Sequence, residues 1–429
     1  MNIALVMIPD KTEAAEQQRL FFPLAIYLLA NYAREAGHQV TVVDSTQNTY
    51  SDMNYLSGFD LVGFSCNSFN FADSCEVAEK IKAINSDLKV LMGGIHPTYY
   101  SEEALQKPYI DYVIRGEGEL ALVSLLNSNF RESLLADIPG LSYKIDNNII
   151  HNKKGEAIAL DENTLLPAYD LVARNTKYLS FETSRGCQNK CTFCSVDHSY
   201  KWRPFSVKVV LDRLEKSLSM IKDVNAVKSI LTTDDCFTTD IERAILICKE
   251  ITRLFPDITF RIEARIRDLL SSDELLDTLA ESNVSLIQVG VECGYDEGLK
   301  RIRKGINVEQ IRRCAEKLGR KGLGRKTFFS FIVGMPWEHK KECLDTIDFA
   351  NDIFNEYRVP GNIALWAALP SVLSNEFGMC KDELYMQKGW WYDKELFFKL
   401  HPNLSPEEFD EILIKRQNFL DIASKYIIL

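Results

Sequence analysis

The sequence predicts an α/β protein built from two parallel systems, an N-terminal doubly wound sheet followed by a partial (β/α)6 barrel. Short apolar runs alternate with helix-length amphipathic stretches along most of the chain, which is the pattern of βαβ units and parallel sheets. That alternation breaks once, between Asp137 and Lys177, where Pro139-Gly140 opens a polar stretch. At 429 residues the chain is also too long for one ordinary core.

Residues 1–136 offer five strands: Ile3–Met7, Gln39–Val43, Leu61–Phe64, Lys89–Met92 and Tyr112–Ile114. Helical patterns lie between them at Pro23–Ala36, Ala72–Asn85, Glu102–Leu105 and Glu117–Leu126. Five strands with intervening helices are what a doubly wound, flavodoxin- or Rossmann-like sheet requires. Residues 137–177 are expected to form an ordered linker carrying a hairpin, Leu141–Ile145 and Ile149–His151, around the tip Asp146-Asn147-Asn148. Residues 178–365 then offer six strands: Tyr178–Glu182, Ser229–Thr232, Thr259–Glu263, Leu286–Val291, Thr327–Val333 and Ile363–Leu365. Helices fit at Val207–Ile221, Asp240–Leu254, Ser272–Glu281, Val308–Lys317 and Lys340–Phe354. Residues 366–429 form a cap rich in aromatics (Trp366, Tyr385, Trp390, Trp391, Tyr392, Phe397, Phe398) and end in a helix over Pro406–Tyr426.

Composition is globular, with 46% hydrophobic and 26% charged residues. A net charge of −11 argues against general nucleic-acid binding, which needs a basic footprint. The local basic run Lys300, Arg301, Arg303, Lys304, Arg312 and Arg313 reads as a solvated helix face. No stretch approaches the ~18 apolar residues of a membrane span. Met1–Met7 reads as a first buried strand, not a signal peptide, so a cytoplasmic location is expected. There, the eleven cysteines would be free thiols or metal ligands.

Three of them stand apart. Ser184-Arg185-Gly186-Cys187-Gln188-Asn189-Lys190-Cys191-Thr192-Phe193-Cys194 places thiols at i, i+4 and i+7 just after an apolar strand. Thiolates select Fe–S clusters, zinc or copper(I). Three are one short of a structural four-ligand site, and a cluster held by three leaves one iron open to a ligand. A Cys3His zinc site completed by His198 is the alternative.

The CxxxCxxC spacing, with Phe193 before the last cysteine, resembles the signature of the radical S-adenosylmethionine (SAM) superfamily. The resemblance implies a [4Fe–4S] cluster on Cys187, Cys191 and Cys194 whose open iron chelates SAM. One-electron cleavage then yields a 5′-deoxyadenosyl radical that abstracts hydrogen from the substrate. Leu231–Phe237 resembles the segment whose acidic residues take the SAM amino group. The family's frequent Gly-Gly-Glu is Thr233-Asp234-Asp235 here, which leaves that role between Asp234 and Asp235. Val289–Gly294 followed by Leu299–Gly305 is similar to a segment of the B12-associated branch, with Glu292 near SAM. Phe331–Pro336 resembles the strand end that contacts adenine through its backbone at Gly334, and Arg265 is a candidate for the SAM carboxylate. On residue chemistry alone, Asp234 and Asp235 also suit a turn cap, Glu292 and Arg265 a charged surface, and Gly334 a turn.

Pro23–Ala30, Ala36–Val40, Gly63-Phe64-Ser65, Met92–Thr98 and Arg115–Glu119 resemble the cobalamin-binding domain fused to many radical SAM enzymes. The resemblance implies cobalamin at the strand ends, lined by Ser65, Asn67, Ser68, Gly93, Gly94, Gly116 and Glu117, and facing SAM across the domain junction. The Asp-x-His-x-x-Gly motif that supplies a histidine to cobalt is absent from Ile8–Arg19, while His38 and His96 are expected to make turn hydrogen bonds. The implied function is methyl transfer from methylcobalamin to an unactivated carbon of a small-molecule or peptide substrate, with an electron donor such as flavodoxin or ferredoxin. Radical dehydration, epimerisation or rearrangement without methyl transfer is the alternative, and a non-catalytic Fe–S or zinc scaffold ranks last.

Overall fold

The structure, a computed structural model, describes residues 1–9, 23–44, 51–146, 148–172, 177–197, 200–221, 227–378 and 382–426. The chain splits into two compact units. Unit 1 comprises Met1–Ser180, Arg213–Val227 and Cys380–Trp390; unit 2 comprises Phe181–Asp212, Lys228–Met379 and Trp391–Leu429.

Unit 1 is built on β1 (Asn2–Val6), β2 (Gln39–Val43), β3 (Leu61–Ser65), β4 (Lys89–Gly93) and β5 (Tyr112–Ile114), joined in parallel. Their order, β2-β1-β3-β4-β5, is that of a flavodoxin-like doubly wound sheet. Ile3, Ala4, Leu5 and Val6 are all buried, as strands covered by helices on both faces must be. The helices Leu24–Glu35, Phe71–Ile84 and Glu119–Asn127 supply cover and connections. The hairpin expected in the linker forms as β6 (Leu141–Ile145) and β7 (Asn148–His151). It also extends the sheet: β6 pairs antiparallel with β5, and β7 with β6. A buried β5 edge would otherwise carry unpaired backbone groups, and the hairpin satisfies them.

In unit 2, β8 (Tyr178–Phe181), whose last residue opens the unit, leads into a small antiparallel pair, β9 (Ser184–Arg185) and β10 (Arg203–Pro204). Then come β11 (Ser229–Thr232), β12 (Thr259–Ala264), β13 (Val284–Glu292), β14 (Thr327–Val333) and β15 (Gly361–Leu365), parallel throughout. The sheet order is β15-β14-β13-β12-β11-β8, a six-stranded partial barrel. Burial alternates along β12 and β14. Phe260, Ile262 and Ala264 are buried, while Arg261 and Glu263 on the opposite face are half-buried. Register aligns Glu263 with Gln288 and Phe328, and Gly290 with Ser330 and Asn362. One face of this sheet is therefore partly polar, which a purely structural core would avoid.

The helix Pro406–Ala423 packs on Lys340–Tyr357, with Lys415–Asp348 and Lys340–Glu411 ion pairs at 2.6 and 2.5 Å. Among the described residues no helix is long and apolar enough to cross a membrane. Gly294, just past β13, meets that long helix so closely that a Cβ would lie 2.7 Å from both Phe349 Cβ and Thr346 Cα. Gly294→Ala should destabilise the protein by about 1–3 kcal/mol through overpacking, read as a lower midpoint of urea unfolding. An unchanged midpoint would show that the helix gives way freely.

Candidate functional site

β8 ends at Phe181, and the next residues are held by Asp234, which follows β11. Its carboxylate accepts from Thr183 N at 2.6 Å, from Ser184 Oγ at 2.6 Å and from Thr183 Oγ1. Arg243 donates through Nε to Phe205 O at 2.9 Å and through its terminal nitrogen to Thr183 O. All these side chains are buried. Gly186, at φ +81°, then passes under the backbone of Lys201, whose carbonyl oxygen would lie 3.1 Å from a Cβ.

The cysteine loop leaves from this anchored base. Cys187, Cys191 and Cys194 are free thiols, as are all described cysteines. Cys187 Sγ accepts from Asn189 N at 3.4 Å and Cys194 Sγ from Val196 N at 3.5 Å, the backbone bonds that suit a cluster-bound thiolate. The loop is clamped on both sides: Thr192 N donates to Ile302 O at 3.1 Å, and Leu373 N donates to Thr192 O at 2.7 Å. Burial pushes the Cys194 thiol up to about 11 and raises Cys191, where the Lys304 charge pulls the other way. No three His, Cys, Asp or Glu among the described residues are gathered around a point that could hold one ion. A cubane takes one thiolate on each of three irons, so its ligands stand farther apart than those around a single ion. His198, the fourth ligand of the zinc alternative, lies outside the described residues. The donor set fits a three-thiolate [4Fe–4S] cluster.

The remaining unit 2 candidates separate by what already engages them. Asp234 is consumed by Thr183 and Ser184. Asp235 is exposed and accepts a backbone hydrogen bond from Gly186; burial and then the Asp234 charge raise its carboxyl. The fork of Arg265 is taken by Asp268, with Nε–Oδ2 at 2.7 Å and Nη2–Oδ1 at 2.9 Å; its Nη1 reaches Asn189 Oδ1 in the cysteine loop at 3.3 Å. Arg265 therefore steadies that loop, and its bidentate face is not open to a second carboxylate. Gly334, at φ +81°, donates its N–H to buried Glu338 at 2.7 Å, and Met335 N donates to the same oxygen at 2.8 Å. Tyr295 Oη completes this knot on Glu338 at 2.8 Å.

Glu292 ends β13 at φ +75° and is paired with Lys304 at 2.9 Å. Reading Lys304 as part of a solvated helix face is corrected here. The helix stops at Arg301, so Lys304 lies beyond it; its side chain is 13% exposed and its ammonium lies 5.7 Å from the Phe193 ring centre. Gly305, a helix-stop residue, was the available signal. Sequence reasoning also passed over Glu263. Burial, then the Glu292 charge, push its carboxyl up to about 8, against Lys304, which lowers it.

In unit 1, β1 and β3 flank the point where strand order reverses, the usual ligand position in such sheets. Cys66 N donates to Gly93 O at 2.8 Å, and His96 N to Cys66 O at 3.2 Å. Gly94, at φ +96°, is required by that contact, since a Cβ would sit 2.5 Å from Cys66 O. Asn67 Oδ1 caps its own turn, accepting from Phe69 N at 2.8 Å and Asn70 N at 3.1 Å. Ser68 is turned inward, its Oγ 3.0 Å from His96 Nδ1, and burial lowers His96 to about 3, leaving it neutral. His38 makes 3.3 Å contacts with the Met1 amino group and Asn127 Oδ1. Trp390 stacks on Phe69 at 5.8 Å and donates to Ser68 O at 3.3 Å. Gly116 N donates to Thr98 Oγ1 at 3.0 Å, and Glu117 accepts from Ile158 N at 2.9 Å. Ser65 and Gly93 stay half-buried, and a Cβ on Gly93 would meet only Ile114 O, at 3.8 Å. Most of the Ile8–Arg19 loop lies outside the described residues.

Glu263 generates a stability test. Its folded pKa of about 8 lies above the ordinary 4.5, so the folded chain holds the extra proton between those values. Stability attributable to it is complete below about pH 4.5 and is lost as pH rises towards about 8. Glu263→Gln should therefore raise the cofactor-free melting temperature more at pH 8 than at pH 4.5; an equal effect at both would refute the shift.

A profile of the B12 binding domain matches residues 14–126, and one of the Radical SAM superfamily matches residues 181–350. An uncharacterized methyltransferase of Pyrococcus horikoshii is 31% identical over 377 residues, covering 83% of this chain and 79% of its own. The anaerobic magnesium-protoporphyrin IX monomethyl ester cyclase of Rubrivivax gelatinosus is 24% identical, covering 90% of this chain and 70% of its own. The solved structure of the cobalamin-dependent S-adenosylmethionine radical enzyme OxsB with aqua-cobalamin bound superposes with a TM-score of 0.69 at 22% identity. That alignment covers 94% of this chain and 58% of OxsB, so the chain spans less than two thirds of it. The chain belongs to the radical SAM superfamily, in its B12-binding branch, and the cofactors that go with its two domains are a [4Fe–4S] cluster, SAM and cobalamin.

Proposed function

We propose that the chain is a radical SAM C-methyltransferase acting at an unactivated carbon, with the cluster on Cys187, Cys191 and Cys194. The observation that carries the cluster assignment is the clamped loop of three free thiols at the end of the first barrel strand, beside the polar face of the sheet. Methyl transfer is supported by the methyltransferase relative that covers most of both chains. When bound, the cluster and SAM supply hydrogen-atom abstraction and cobalamin supplies methyl transfer.

The chain's own residues orient and enclose. Asp235, left open where Asp234 is committed, would take the SAM amino group. Gly334 would offer its carbonyl side to adenine while Glu338 holds its N–H. Glu292 and Phe193 line the same end of the sheet. Ser65, Asn67, Gly93, Gly116 and Glu117 form the rim on which cobalamin would lie, with Ser68 and Gly94 shaping the turn beneath. The substrate would be a small molecule or peptide, and the reductant a one-electron donor such as flavodoxin or ferredoxin.

Anaerobically reconstituted protein should carry about four irons and four sulfides per chain, and replacing Cys187, Cys191 and Cys194 together by Ala should remove them; a triple variant that kept its iron would defeat the assignment. Asp235→Asn should weaken SAM binding by ~1.5–3 kcal/mol, the worth of a hydrogen bond to a charged group, while Asp234→Asn should instead lower stability. Gly93→Phe should abolish cobalamin retention on gel filtration and leave iron content unchanged. Incubating the reconstituted enzyme with reductant, cobalamin, candidate substrates and SAM labelled in its methyl group decides the outcome. Labelled product with 5′-deoxyadenosine supports C-methylation; 5′-deoxyadenosine with an unlabelled, rearranged or cyclised product favours the non-methylating reading, which the cyclase relative also suggests.

A further inference from the structure

From the packing of β13 against the cysteine loop, we infer that Lys304 and Glu292 form a charge pair that sets the reduction potential of the cluster, with Lys304 raising it and Glu292 opposing it. The inference rests on the cluster assignment proposed above. Four structural features bring this pair to the loop, and two of them strain the backbone.

Glu292 sits at φ +75° and Arg303 at φ +54°, left-handed conformations that non-glycine residues seldom adopt. The first occurs where the β13–β14 register shifts between Gly290 and Glu292. The second is at Arg303, which is exposed and directly precedes the largely enclosed Lys304. Gly290 provides the room: a Cβ there would lie 2.4 Å from Glu292 Oε1 and 2.9 Å from Lys304 Nζ. The backbone bond from Thr192 N to Ile302 O, at 3.1 Å, ties this turn to the residue following Cys191. The ammonium ends 5.7 Å from the Phe193 ring centre, next to Cys194.

Charge interactions follow from that placement. The Lys304 ammonium is held by Glu292 at 2.9 Å and faces the ring of Phe193, which lies between Cys191 and Cys194 in sequence. With side chains only 13% and 10% exposed, the pair is weakly screened by solvent. A cluster gains one negative charge on reduction, and its potential responds to nearby charge and solvent exposure. A near cation therefore favours the reduced form, and an anion behind it limits that preference. Lys300, Arg301 and Arg303 are exposed and would be screened, so Lys304 is the member of this basic run that the cluster should sense.

The test is a redox titration of the reconstituted cluster, followed by electron paramagnetic resonance, in Lys304→Met, Lys304→Arg and Glu292→Gln. Lys304→Met should make reduction at least tenfold harder, a fall of about 59 mV for a one-electron couple. Glu292→Gln should move the midpoint upward, and Lys304→Arg should stay nearer wild type than Lys304→Met. Iron content is measured on every sample. Midpoints unmoved in Lys304→Met and Glu292→Gln at full iron content would overturn the inference, as would shifts of the same sign. If Lys304→Met fails to load iron, Glu292→Gln decides alone, and an unmoved midpoint there overturns it. Wild-type protein that takes up no cluster would instead overturn the cluster assignment, and iron analysis alone shows that.

Discussion

The buried carboxylate of Asp234 is the constraint on which the unit 2 site depends. It joins the ends of the first two barrel strands by accepting three hydrogen bonds from Thr183 and Ser184, and Arg243 closes the arrangement on the Thr183 carbonyl. Burial raises the Asp234 carboxyl, and these donors with the Arg243 charge offset that penalty. An uncompensated charge here would cost several kcal/mol, so all members must be present together. The first cysteine of the loop, Cys187, lies three residues past Ser184 and inherits this rigidity. Its other supports, Ile302, Leu373 and Arg265 acting through Asn189, come from distant parts of the chain. A flexible loop would need to lose conformational entropy when it takes up a cluster; a clamped one has lost it on folding.

Unit 1 solves a similar problem with backbone in place of charge. Cys66 bridges β3 and β4 by bonding to Gly93 and His96, and glycine at position 94 is the condition for that approach. The turn above it is internally saturated by Asn67 and Asn70, and Asn70 Nδ2 also reaches Ile8 O at 2.9 Å. Trp390 covers Phe69. A flat ligand at this edge would therefore meet a preformed surface, and few of its side chains would have to reorganise.

The sheets were legible because their causes are local. Apolar runs of strand length, separated by amphipathic helices, specify parallel pairing whatever the distant sequence does, and β1, β2 and β5 fall where the pattern placed them to within a residue or so. The cysteine trio was legible for the same reason. The ownership of each polar group was not. Asp234 and Asp235 are adjacent and chemically identical, and only tertiary contact with Thr183 and Ser184 separates a structural carboxylate from an open one. Arg265 suits a ligand carboxylate by residue type, and only the folded chain shows its fork taken by Asp268, three residues on. Lys304 stands inside a basic run whose helix ends at Arg301; Gly305 signals that the helix stops, but nothing in the sequence shows that Arg303 turns left-handed and sends Lys304 inward.

These misread groups share one physical trait: each carries charge into a place where burial penalises it. Glu263, Asp235 and Glu292 converge near one end of the barrel sheet, and the Glu263 carboxyl is raised by burial and by both of the others. A core selected only for stability would not hold three carboxyls there with Lys304 as counter-charge to Glu263 and Glu292, since apolar packing of similar volume costs less. Functional sites commonly accept such a loss in exchange for groups poised towards a ligand. The Glu263 carboxyl, held high by burial and by the neighbouring charges, is one that a cationic ligand end would help to ionise. A cationic group bound there would relieve the repulsion that weakens the unfilled barrel, which ties the polarity of that face to the cofactor site proposed for it.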